Sequence, residues 1–515
     1  MSDQAAAAGP TAAQSIVIPA NSPVEALFSG TQRNDTNITV HFVDAGQDSV
    51  SNFDSTISEG WTTYERERVE AALASIAAVI NITFTITSDP SADFQLVRSD
   101  DPFSNAGELG YFYLPNFTGQ SVGVFNTDGF GWTTSGLRDG GTGYTTLVHE
   151  LLHGLGLAHP HDGRTILDGV TQPFDDFGSN NLNQGVYTTM SYNSGNFGTP
   201  NFNIGSEAGP MALDIAALQA IYGANMSHAT SDDVYELDST NSDGAAWRAI
   251  WDAGGTDTIR YNGSADTVID LREATLQYEE GGGGFISRAD NVSGGFTIAN
   301  GAIIENAIGG SGDDTIIGNT VGNDLKGRGG DDDISGDAGN DILSGNSGED
   351  TLSVSSGANA LFGGSGRDTI NGGSGSDTIN GNGGNDILNG NGGSDAIFGG
   401  RGNDTINGGS GDDQITGGLG ADSLTGGSGL DTFIFDFASD SYAGAGNRDT
   451  IQDFDLGNDD IDLSGIGGLS FADDISLTVS GGNTVVAIDV NGDDVADMEI
   501  FVSGVTGLGS GDFIL

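Results

Sequence analysis

The chain is 515 residues long, with 73 acidic and 15 basic side chains, a formal net charge of −58 and no cysteine. That balance excludes a nucleic-acid binder working through a basic surface and disfavours docking on anionic lipid. The missing cysteine excludes disulfides, thiolate zinc sites, iron–sulfur clusters and cysteine nucleophiles.

Residues 1–25 are rich in Ala, Ser and Pro, and read as a mobile segment or a propeptide. The first basic residue is Arg33, so a Sec-type signal peptide is not expected. No apolar run approaches the ~18–20 residues of a membrane span. Residues 26–228 read as a mixed α/β domain. Strands are expected over 38–43 (ITVHFV), 82–86 (ITFTI), 110–115 (GYFYLP) and 121–126 (SVGVFN). Thr62 and Glu65 form a capping box that opens a helix with Val69, Ala72, Leu73, Ile76, Ala77 and Ile80 on its apolar face. A second helix starts near Thr145, and a third runs from Pro210 to Tyr222 with Gly223 as its C-cap.

Residues 229–308 read as a β-rich linker. From Gly309 to Ile434 the chain consists of fourteen nine-residue units, of consensus G-G-x-G-x-D-x-U-x with U apolar. Glycine at positions one, two and four permits tight turns that expose carbonyl oxygens, such as those of Gly310 and Gly312. The sixth position adds a carboxylate, and the last three residues make a short strand with its apolar residue inward. Stacked units form a parallel β-roll holding cations between turns, and oxygen-only ligands select calcium. The sixth-position carboxylates are Asp314, Asp332, Asp341, Asp350, Asp368, Asp377, Asp386, Asp395, Asp404, Asp413, Asp422 and Asp431; Asn323 and Asn359 break the pattern. Residues 435–515 read as a β-rich cap. In it, residues 489–497 (DVNGDDVAD) read either as an acidic turn or as an EF-type calcium loop.

The chemistry lies in TTLVHELLHGLGLAHPHDG (145–163). A helix puts His149 and His153, four apart, on one face, with Glu150 beside the first. Gly156 ends the helix, and the chain turns back to present His159. Three neutral imidazoles leave an open position on a catalytic zinc, and Glu150 is placed to deprotonate a water there. His41 is expected to be structural, His228 solvated, and His161 not a ligand. Trp132 and Tyr144 either shape the cleft or pack.

These motifs, with Met190 and Tyr192 in YTTMSYN (187–193), resemble the metzincin zinc endopeptidases, and among them the serralysin type (peptidase family M10B). The nonapeptides resemble the RTX calcium-binding array of type I secretion substrates. The likeness covers GPMALDIAALQAIYGAN (209–225), WDAGGTDT (251–258) and IENAIGGSGDD (304–314), though the array is longer than is usual in serralysins. The resemblance implies an α+β metzincin catalytic domain followed by an all-β parallel RTX roll with a β-rich C-terminal cap. It implies a Met-turn at Met190 and an additional zinc ligand, Tyr192, that swings away to hydrogen-bond the developing oxyanion. It implies calcium ligands at Asp252, Gly254, Asp257 and Glu305, with Asp233 as a further candidate. The implied protein is a secreted, extracellular, monomeric zinc endopeptidase of broad specificity, with several structural calcium ions. Its partners would be protein or peptide substrates, the type I secretion machinery, which reads the terminal Asp512-Phe513-Ile514-Leu515, and a small protein inhibitor. The competing reading is a calcium-bound adhesin or surface-layer protein with an inactive protease domain. An RTX lipase lacks its G-x-S-x-G elbow.

Overall fold

In a computed structural model of the chain, the structure describes residues 18–19, 21–47, 56–100, 109–113, 120–162, 165–193 and 205–515. Most of the N-terminal segment and the end of the expected 110–115 strand lie outside these residues. The chain forms two compact units, residues 1–259 with 270–304, and residues 260–269 with 305–515. No helix of the described residues is long and apolar enough to cross a membrane.

The first unit is α+β. Its five-stranded sheet is built from β1 (Asn37–Phe42), β2 (Thr83–Ile86), β3 (Phe94–Arg98), β4 (Gly110–Phe112) and β5 (Ser121–Phe125), in the order β2-β1-β3-β5-β4. The strands are parallel except β4, which runs antiparallel to β5 and is the last strand of the sheet among the described residues. The expected helix opens at its capping box. Thr62 Oγ1 accepts the Glu65 N–H (3.3 Å), and Glu65 Oε2 accepts the Thr62 N–H (2.8 Å). Such a cap stabilises a helix by ~1 kcal/mol. Helix α1 (Thr63–Val79) buries Val69, Ala72, Leu73 and Ile76. Helix α2 (Thr142–Gly154) packs against α1, β4 and β5. Helix α3 (Ala212–Tyr222) ends at Gly223, whose φ is +79°.

The second unit is a parallel β-roll. Strand Thr378–Gly383 pairs with Ala360–Ser365 on one side and Ala396–Arg401 on the other, so sheet neighbours are two repeats apart. Alternate repeats therefore build two separate sheets. From Ile316 to Phe433 the eighth-position apolar residues are all fully buried, at ~1.5–3 kcal/mol of burial each.

Two expectations about the repeats need correction. Most strands hold six residues, not three, because pairing continues through the first three residues of the next unit. Position-one glycines such as Gly327 and Gly381 are not at positive φ, whereas most glycines at positions two and four are, Gly310, Gly312 and Gly384 excepted. A Cβ on Gly381 would stand 2.4 Å from Asp386 Oδ2. That glycine is required for room beside the carboxylate, not for turn geometry. Position two accepts Asn346, Asn382 and Asn391 at φ between +68° and +76°, a region asparagine tolerates.

The parallel ladders also run past residue 434. Strand Asp449–Ile451 pairs with the strand holding Leu424, and Asp460–Asp462 with the strand holding Phe433. The terminal Phe513–Ile514 pairs in turn with Ile461 and Asp462. In the 489–497 segment, Asp489 accepts the N–H groups of Gly492 and Asp494.

Candidate metal centre and cation ladder

Helix α2 places His149 and His153 on one face, as their spacing requires. It stops at Gly156, with φ of +104°, where a Cβ would stand 2.2 Å from the Thr31 carbonyl oxygen. The chain beyond is fixed by Ala158 N–H donating to Leu27 O (2.9 Å) and by Ser29 N–H donating to Gly156 O (3.1 Å). This turn delivers His159, whose Nε2 lies 3.1 Å from His149 Nε2 and 3.0 Å from His153 Nε2.

Each ring's other nitrogen meets an oxygen acceptor. His149 Nδ1 faces Thr189 O (2.8 Å), His153 Nδ1 faces Leu157 O (2.9 Å), and His159 Nδ1 faces Asp162 Oδ2 (2.8 Å). The Nδ1 atoms therefore carry the protons, and three Nε2 lone pairs converge. Without a cation such a cluster is repulsive. A tetrahedral zinc at ~2.0–2.1 Å from each nitrogen would set them roughly 3.3 Å apart, close to what is seen. Burial, aided by neighbouring imidazoles, pushes the pKa of His149 down to about 3, and those of His153 and His159 down to about 4. All three are neutral, as ligands must be.

Glu150 is buried, with Oε2 lacking a hydrogen-bond partner among the described residues, and burial pushes its pKa up to about 8. It lines a cleft of about 520 Å³ with Gly110, Tyr111, Phe112, His153, His159, Asp162 and Tyr192. The Tyr192 hydroxyl lies 2.8 Å from His159 Nε2. Met190 is fully buried beside Thr189. This turn is held by Asp214, whose carboxylate accepts Thr189 N–H (2.7 Å) and the Thr188 hydroxyl (2.5 Å).

Of the remaining expected residues, His161 stacks on His159 at 5.0 Å and does not join the converging nitrogens. His41 is buried against Thr87 O, and His228 is exposed. Tyr144 is buried, and Trp132 Nε1 donates to Glu65 (2.8 Å); both pack. Asp162 is the residue that sequence reasoning missed. Burial opposes its ionisation, yet the hydrogen bond from His159 holds its carboxyl below the usual range. A carboxylate three residues after the third histidine was the available signal.

In the roll, sixth-position carboxylates form ladders. Asp386 Oδ1 accepts the Asp368 N–H (2.9 Å), and Asp404 Oδ1 accepts the Asp386 N–H (2.8 Å). The second oxygen, Oδ2, is buried and without a hydrogen-bond partner among the described residues in Asp332, Asp341, Asp350, Asp368, Asp377, Asp386, Asp395, Asp404, Asp413, Asp422 and Asp431. Buried, unpartnered carboxylate oxygens are costly, and a row of them fits hard cations. Asp314 differs, since Thr267 and Gly310 N–H groups fill both its oxygens. The Gly312 carbonyl faces Gly330, one turn on. Asn323 donates its amide to Glu305 O (2.9 Å), and Asn359 donates to Asp377, so neither supplies a free carboxylate oxygen.

Asp449 and Asp459 were also missed. They occupy ladder positions, accepting the N–H groups of Asp422 (2.8 Å) and Asp431 (3.1 Å), but at separations of 27 and 28 residues in place of the 18 that holds along the repeats. Outside the roll, Asp252 and Asp257 come together with Asp233, their nearest oxygens within 4.8 Å of one another. Gly254 donates its N–H to Asp252 (3.0 Å).

Residues 212–371 match the family described as Peptidase M10 serralysin C terminal. Four overlapping stretches between 362 and 442 match the RTX calcium-binding nonapeptide repeat. The chain is 34% identical over 284 residues to a serralysin of Photorhabdus luminescens, covering 52% of this chain and 56% of the relative. It is 34% identical over 286 residues to serralysin C of Dickeya chrysanthemi, covering 50% and 54%. The chain thus spans about half the length of the curated relatives it matches. Among solved structures, myroilysin aligns with 17% identity and a TM-score of 0.23, over 38% of this chain and 97% of that one. The AlgE6R3 subunit of the Azotobacter vinelandii mannuronan C5-epimerase aligns with 28% identity and a TM-score of 0.22, over 30% and 80%. Scores so low carry no argument about fold. On these sequence matches, the chain is similar to serralysins over about half of its length, and residues 362–442 carry an RTX repeat array.

Proposed function

We propose that this chain is a secreted zinc endopeptidase, supported by calcium, that hydrolyses peptide bonds with broad specificity. Its catalytic domain would be residues 26–228, joined through 229–308 to a roll over 309–434 and a cap over 435–515. The observation that carries this reading is the convergence of three imidazole Nε2 atoms beside a buried carboxylate and a phenol. Zinc held by His149, His153 and His159 would acidify a water and polarise the scissile carbonyl. Glu150 takes the proton of the attacking water and returns it to the leaving amine. A zinc ion held there would favour the ionised form of Glu150 that a base requires. The Tyr192 hydroxyl donates to the oxyanion as charge develops. Strand β4, the last of the sheet among the described residues, lines the cleft and would offer backbone pairing to an extended substrate, which reads no side chain and so favours breadth.

The roll would remain unfolded at low calcium, suited to threading through a type I exporter, and fold outside as calcium binds the native form by mass action. Glu150→Gln tests the enzymatic reading. Zinc content should stay at one per chain while kcat/KM on casein falls roughly 10²–10⁴-fold. Unchanged hydrolysis would sink it, and absent hydrolysis by the parent, loaded with zinc and calcium, would favour the adhesin reading.

A further inference from the structure

Four aromatic rings surround the phenol of Tyr192 among the described residues, and three of them are imidazoles. The fourth is Phe174, stacked on Tyr192 with centroids 5.3 Å apart and planes 17° apart. His149 lies nearly parallel to the same phenol, at 5.8 Å and 21°. Phe174 is 60% exposed, so it contributes little to the core. Its loop is stitched to the residue after Tyr192: Asp175 N–H donates to Asn193 Oδ1 (2.7 Å), and Asn193 Nδ2 donates to Asp176 O (3.0 Å). The loop and the tyrosine therefore hold one another in register.

We propose that Phe174 is a positioning residue for Tyr192, its ring face fixing the phenol so that the hydroxyl stands at the point where the three imidazole nitrogens converge. A phenol has two rotatable side-chain bonds, and Tyr192 is itself 43% exposed. Among the described residues its hydroxyl makes one hydrogen-bond contact in the cleft, with His159, which alone does not fix the ring plane. Aromatic stacking beyond area burial supplies the orientational preference that the hydroxyl contact lacks. The inference rests on the reading of Tyr192 as a group that meets the metal and the oxyanion.

The test uses the calcium-loaded full chain with copper(II) in place of zinc, and reads the phenolate-to-copper charge-transfer absorption. Four variants are compared with the parent: Phe174→Ala, Phe174→Leu, Phe174→Trp and Tyr192→Phe. The absorption should weaken several-fold in Phe174→Ala and Phe174→Leu and be restored in Phe174→Trp, with one copper bound per chain and far-UV dichroism unchanged. With zinc, kcat should fall about 10- to 100-fold in the first two variants with little change in KM. Leucine keeps the bulk without the ring face, so a folding defect confined to alanine leaves the comparison intact. Absorption lost in Tyr192→Phe yet full in both Phe174→Ala and Phe174→Leu overturns the proposal alone. Absorption that survives Tyr192→Phe overturns it together with the ligand reading of Tyr192.

Discussion

The three histidines and Glu150 were legible because the helical period leaves little freedom: residues four apart share a face, and a glycine at positive φ turns the chain back. What spacing could not show was the group behind each ring. Thr189 O and Leu157 O are main-chain atoms and leave no mark in a pattern of side chains. Asp162 does leave one, but its partner is fixed only by the turn after Gly156. Its carboxylate bonds His159 twice, through Nδ1 (2.8 Å) and through the backbone N–H (3.1 Å). Removing it frees the third ligand to rotate and to change tautomer. Asp162→Ala should weaken zinc binding roughly 10- to 100-fold, the usual range for a carboxylate behind a metal-binding imidazole. Competition with a chelator of known affinity measures this. Unaltered affinity would mean that the turn alone orients His159.

At the scale of elements, the nine-residue period gave the inward apolar column correctly, since any other register would expose it. It misjudged strand length because turn and strand overlap: residues one to three of each unit still pair with a neighbour two repeats away. It misassigned the first glycine because crowding by a side chain five residues on cannot be told from turn geometry in a string of letters. The roles separate by substitution. In Gly381→Ala the new Cβ meets Asp386 Oδ2 at 2.4 Å, whereas at Gly446, which is not at positive φ, a Cβ meets nothing within 4 Å. Gly381→Ala should therefore displace a cation-facing carboxylate, with a cost close to one site's linkage, about 2.7 kcal/mol at a hundredfold excess of calcium over Kd. Gly446→Ala should be nearly silent. Thermal unfolding at two calcium concentrations, both high enough to fold the roll and about a hundredfold apart, checks both. A Gly381→Ala loss equal in the two conditions would assign that glycine to chain geometry instead.

At the scale of the whole molecule, the ladder aspartates bury negative charge where it is least tolerable without cations. Burial, with neighbouring carboxylates adding, raises the pKa of Asp332, Asp386 and Asp413 to about 7 and that of Asp341, Asp350, Asp377, Asp404 and Asp422 to about 6 in the cation-free fold. Asp449, between Asp422 and Asp440, reaches about 9. In an unfolded chain each would sit near ~3.9. Between these values the folded state binds more protons than the unfolded one, so stability falls as pH rises. The contribution is fully present below about pH 4 and is lost as pH climbs through 6 to 7. This is the reverse of a protein held by ordinary carboxylate ion pairs, which weakens in acid. In chelator, the melting temperature of the full chain should drop by roughly 10 °C or more between pH 5 and pH 8. Saturating calcium should abolish most of that slope, because the cation replaces the proton as the partner of each buried oxygen. Calorimetric scans across that pH range, with and without calcium, decide the matter. A chelated protein that grows more stable toward pH 8 would mean that the ladder carboxylates are ionised and satisfied without metal, and the coupling between calcium and folding would then have no electrostatic basis.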